Sequence, residues 1–204
     1  GGMVSVCGGY GSLSASGAVA VRTLNAGADG VSGQLTLSSG TASSGSSGRV
    51  LLGSGKSLGG RGGAMHLFVG EGDSGAGGDV AVFAGASSAE TGGSVTVYTG
   101  EGSRSSSGAF VVRTLDAGSA GLSGMLSVSA GAATSEASGS SLLGAGAALG
   151  GRGGSVHVTV GTGNSGAGGD ALLLAGKSTA ETGGQLHLYS GYSSQTTSGV
   201  VAVR

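Results

Sequence analysis

Along this chain, aliphatic side chains stand two and four residues after a glycine, and the pattern returns every fifteen residues. The starting glycines are Gly2, Gly17, Gly33, Gly48, Gly63, Gly78, Gly93, Gly108, Gly124, Gly139, Gly154, Gly169, Gly184 and Gly199, with a sixteen-residue interval after Gly17 and another after Gly108. Counting each starting glycine as position 0, positions 2 and 4 are apolar in 27 of 28 cases, Ser141 being the exception. Alternation of this kind predicts a short strand with one face toward a core. The glycine- and serine-rich stretches between, such as 41–47 and 71–77, predict tight arcs in which glycine supplies positive φ angles.

Position 3 carries a second period. In alternate repeats it is Ser5, Thr36, His66, Thr96, Ser127, His157 and His187, all polar; in the others it is Ala20, Leu51, Ala81, Val111, Leu142, Leu172 and Ala202, all apolar. A pair of repeats therefore offers one strand that is apolar on a single face and one that is apolar on both, which needs cover on both sides. A third period of 91 residues is a near-copy: GAVAVRTLNAG at 17 returns as GAFVVRTLDAG at 108, SGAGGD at 74 returns at 165, and Arg22, Arg113 and Arg204 recur at the same place.

These periods predict an all-β fold, a parallel β-solenoid with about 30 residues and two strands per coil. The alternative is an antiparallel meander of 15-residue strand units. The coil places Arg49 and Asp79 on adjacent rungs as an ion pair. On this expectation residues 1–204 are one repeat rod, built of cassettes 2–92 and 93–183 and a partial cassette 184–204, and cut from a longer array. Neither end carries the polar cap that a monomeric solenoid needs. The expected assembly surface is the outer apolar flank of Leu51, Val111, Leu142 and Leu172, with Arg22 and Arg113 closing the widened arcs or reaching a neighbouring copy.

Composition narrows the function. Fifty glycines, no proline, no tryptophan and 9% charged residues would suit a disordered chain, but the strict schedule of valine and leucine does not. Glycine does not recur every third residue, which excludes collagen. A net charge of −1 offers no electrostatic footprint for nucleic acid or an anionic membrane. No apolar run approaches the ~18 residues of a membrane span. The single Cys7 leaves no intramolecular disulfide and reads as a small strand residue.

Candidate chemistry is sparse. His157 and His187 would lie one rung apart, close enough to share a metal, but no carboxylate or cysteine joins them at ligand spacing and they read first as polar fillers. Asp73 and Asp79 lie in GEGDSGAGGD, superficially a glycine-aspartate calcium repeat; such sites need a nine-residue tandem period, and Asn164 stands at the counterpart of Asp73. Gly55-Lys56-Ser57 lacks the rest of a phosphate loop, and its partner Gly146-Ala147-Ala148 lacks the lysine. No Ser-His-Asp set recurs, so neither an enzyme nor a cofactor is expected. An ice-binding face would need a regular threonine array, and the mixed Ser, Thr and His column with Phe68, Tyr98 and Tyr189 beside it is too irregular.

The phrases GGSVTVYTG, GGDVAVFAG and SGQLTLSSG resemble the glycine-rich GG-x-V-x-V arrays of very large cell-surface and flagellar-hair (mastigoneme-like) proteins of algae and related protists, and more loosely bacterial fibre and adhesin stalks. The resemblance spans the chain and implies an extracellular or cell-surface structural protein that self-associates into filaments, with no catalytic residues. A second function class is an adhesin stalk or a repeat module that binds a surface glycan through Tyr98, Tyr189 and the histidine column.

Overall fold

The structure, a computed structural model, describes residues 2–13, 15–164 and 166–203. The chain divides into two units, Gly1–Tyr98 and Thr99–Arg204. The division falls just past the boundary between the first two cassettes. Neither unit contains a helix or a strand among the described residues. The expected parallel β-solenoid is therefore corrected, and so is the antiparallel meander: no sheet of either kind forms among the described residues.

The reason lies in where the backbone groups bond. A stacked coil needs ladder bonds between residues about thirty apart. Here the bonds join glycines eight apart: the N–H of Gly17 donates to the carbonyl of Gly9 at 2.7 Å, Gly93 to Gly85 at 2.8 Å, Gly108 to Gly100 at 3.0 Å, Gly154 to Gly146 at 3.1 Å, Gly169 to Gly161 at 3.3 Å, Gly184 to Gly176 at 2.9 Å and Gly199 to Gly191 at 2.8 Å. Each bond runs from the starting glycine of one repeat to position 7 of the repeat before it. Position 7 is where the alternating apolar pattern stops. The intervening glycine- and serine-rich residues thus form a compact Ω-type loop whose ends meet. Closing eight residues instead of thirty saves about 1 kcal/mol of chain entropy per loop, so local closure forms ahead of a distant rung.

The two sixteen-residue repeats close differently. Leu24 and Leu115 take the place of the position 7 glycine, and a four-residue turn forms further along, with Gly30 N–H on the Gly27 carbonyl and Gly121 N–H on the Gly118 carbonyl, both at 3.2 Å. This tie, recurring after 91 residues, is what the extra residue accommodates. No hydrogen bond or ion pair from Arg22 or Arg113 spans the arc among the described residues, and Arg204 lies outside them.

Glycine at the loop exit answers a steric need. A Cβ on Gly78 would lie 2.6 Å from Val69 Cγ1, and on its 91-residue counterpart Gly169 it would lie 2.8 Å from Val160 Cγ1. These positions must be bare because the two arms of the loop converge there. The expected positive φ angles are, by contrast, confined among the described residues to Gly150, at +82°.

Four loops are organised around a serine at position 9. Ser57 Oγ accepts from Gly60 N–H at 3.0 Å. Ser87 Oγ accepts from Glu90 N–H at 2.9 Å and Ala89 N–H at 3.4 Å; its counterpart Ser178 does the same for Glu181 and Ala180 at the same distances. Ser193 Oγ takes the N–H of Thr196 at 3.0 Å and of Gln195 at 3.4 Å. Each is a serine-capped turn, in which a hydroxyl stands in for a backbone carbonyl. At two of the positions held by glycine the backbone folds over it: a Cβ on Gly102 would lie 2.7 Å from the Ser105 carbonyl oxygen, and on Gly163 it would lie 2.7 Å from that of Gly166, whereas on Gly72 the nearest such atom is 3.7 Å away. The four least exposed of the described residues, Gly11, Gly102, Ser178 and Ser193, all hold position 9.

Candidate assembly surface

In two of the segments between loops, side-chain contacts show the alternation expected of an extended backbone. Ser5 Oγ lies 3.3 Å from Cys7 Sγ, and the Tyr189 hydroxyl lies 3.0 Å from His187 Nδ1 with the two rings stacked, centroids 5.7 Å apart. Both are i, i+2 pairs at positions 3 and 5, which puts those positions on one side of the segment and positions 2 and 4 on the other.

Neither side is covered. Among the described residues no side chain is buried, and the least exposed large apolar residue, Val160, still shows 42% of its surface. The accessible surface is 20413 Å², against about 8,300 Å² for a globular chain of this mass and about 27,000 Å² for an unfolded one. Leu51, Val111, Leu142 and Leu172 on one side, and the position 2 and 4 residues such as Val95 and Val97 on the other, are all exposed. The backbone of the segments is equally open: within 94–98, for example, no N–H or carbonyl bonds to another backbone group among the described residues. An unpaired edge with apolar side chains above and below it is a template for another strand.

The other sequence-derived candidates are not brought together. His187 pairs with Tyr189 in its own segment. No group of three His, Cys, Asp or Glu stands close enough to hold a metal ion among the described residues; His157, Asp73 and Asp79 are exposed and none belongs to such a cluster. No ion pair joins Arg49 to Asp79. Gly55-Lys56-Ser57 is part of a serine-capped turn. Arg22, Thr23, Leu24 and Asn25 line a concavity of about 340 Å³, but four consecutive residues make a bend in the chain, not a converging site. Cys7 is exposed with a free thiol. Among the described residues no helix is long and apolar enough to cross a membrane.

Sequence reading missed the position 9 serines. Their signal was present: the hydroxyl stands two residues beyond the last segment glycine in both SSAET and STAET, a spacing suited to a capped turn. No family model, curated protein or solved structure matches the chain significantly.

Proposed function

We propose that this chain is a structural protein of an extracellular fibre, and that it assembles by pairing its segments with those of other copies of itself. The observation that carries this reading is the absence, among the described residues, of any buried side chain or backbone pairing in segments that are apolar on alternate positions. Such segments gain both hydrogen bonds and apolar cover when a second copy adds to them. The occupant is a second copy because the segments share one spacing of apolar residues, with Ser141 the exception, and because a net charge of −1 puts little electrostatic repulsion between copies. The loops, which satisfy part of their own bonding, punctuate the pairing at fifteen-residue intervals. The resemblance to glycine-rich arrays of cell-surface and flagellar-hair proteins supports the extracellular setting.

The test is fibre diffraction of concentrated protein together with electron microscopy. Filaments with a reflection near 4.7–4.8 Å are expected. Single particles at every concentration, with binding to a glycan array through Tyr98 or Tyr189, would replace this reading with that of a glycan-binding stalk.

A further inference from the structure

Of the two side-chain pairs at positions 3 and 5, one joins a phenol to an imidazole: the Tyr189 hydroxyl is 3.0 Å from His187 Nδ1, and the phenol is 83% exposed. We propose that Tyr189 is a site of oxidative coupling, in which His187 takes the phenolic proton as a one-electron oxidant takes the electron, and that it joins to a phenol of another molecule. With the imidazole proton on Nε2, Nδ1 accepts the hydrogen bond from the tyrosine O–H. Loss of the electron then leaves a neutral tyrosyl radical with its proton on the adjacent ring, so no charged phenol cation has to form. The exposed ring carbon beside the oxygen is free to meet a second radical.

The chemistry balances with a haem peroxidase and hydrogen peroxide as oxidant. Two phenols each give up one electron and one proton, their ortho carbons form a C–C bond, each ring loses its ortho hydrogen as a second proton transfer restores the phenol, and the peroxide is reduced to two waters. Within a fibre the second phenol is a tyrosine of a neighbouring copy, and this final step rests on the assembly proposed above. The selective oxidation of Tyr189 does not.

The chain contains its own control. Ninety-one residues earlier the same slots hold Thr96 and Tyr98. Tyr98 is as exposed as Tyr189 but has threonine where the proton acceptor would be. Tyr10 and Tyr192 are also exposed and lie in loops without a histidine beside them.

The experiment labels the dilute, full-length chain with a tyramide phenol, horseradish-type peroxidase and hydrogen peroxide, and maps the adduct by peptide mass spectrometry. Tyr189 is expected to label roughly tenfold faster than Tyr98, less than a positioned base supplies in a closed active site. The His187→Thr variant should bring Tyr189 down to the rate of Tyr98, and Thr96→His should raise Tyr98 toward that of Tyr189. Equal labelling of the four tyrosines in the parent chain, or a Tyr189 rate unchanged in His187→Thr, would overturn the proposal. Because labelling is read at a dilution where copies do not meet, a failure of assembly leaves this outcome unaffected. Repeating the oxidation on concentrated protein then reads the copy-to-copy link as dityrosine fluorescence in a covalent dimer. A Tyr189 that labels quickly in dilute solution yet gives no dimer would count against the assembly reading alone.

Discussion

The loop Gly85–Gly93 and the segment that follows it, 94–98, are neighbours in the chain and differ in where their bonds end. In the loop, Ser87 takes the N–H groups of Ala89 and Glu90, and Gly93 closes onto Gly85. In the segment, Val95, Val97 and Tyr98 are exposed and no backbone group is bonded to another among the described residues. The loop completes itself with local contacts of eight residues or fewer; the segment has nothing local to bond to. In the proposed assembly, pairing between copies belongs to the segments, and spacing between pairings belongs to the loops.

The sharpest way to break this division is to charge a segment. Val95→Lys with Val97→Lys removes two apolar side chains that assembly would cover, each worth about 1.5–3 kcal/mol. The concentration at which filaments sediment should rise more than about a hundredfold, while hydrogen exchange in loop 85–93 stays as in the parent. An unchanged sedimentation threshold would move the pairing surface elsewhere.

A smaller effect is expected from breaking a loop. Gly102→Val drives a side chain into the Ser105 carbonyl, 2.7 Å from the new Cβ, at a cost of about 1–3 kcal/mol. The bond from Gly108 N–H to Gly100, 3.0 Å in the parent, should lose its exchange protection. The assembly threshold should shift far less than with the lysine pair.

The smallest effect compares two copies of one loop. In 55–63 the hydroxyl of Ser57 caps the turn; in 146–154 alanine replaces it, and Gly150 turns the chain at φ +82° instead. Gly150→Ala should therefore destabilise its loop by about 1 kcal/mol, and Ala148→Ser should recover part of that loss. Ser178→Ala, in the capped loop 176–184, should speed exchange of the Glu181 N–H several-fold, in line with a loss of about 0.5–1.5 kcal/mol for one hydrogen bond. Indifference of both loops would mean that position 9 does not organise them.

The alternation of segments and loops was legible from the chain alone, because a period of two in Val95–Val97 and the fifteen-residue return of glycine are local facts. What they cannot convey is the partner. A row such as His66, Thr96 and Ser127 is equally consistent with pairing to the next coil or to another molecule, since register across thirty residues leaves no local trace. The widened repeats were legible as irregular through Arg22 and Arg113, but the turn Gly27–Gly30 that ties the first of them follows from glycine spacing. His157 and His187 were read as one column, whereas alternation within a segment puts His187 beside Tyr189.

The central claim, that segments pair between copies and not within one, is tested most directly by infrared absorption across a dilution series. If segments pair only between copies, the amide I band of a β-sheet is absent in dilute protein and grows with concentration, in step with sedimenting mass. A sheet band of constant intensity at every dilution, or none at any concentration, would contradict it.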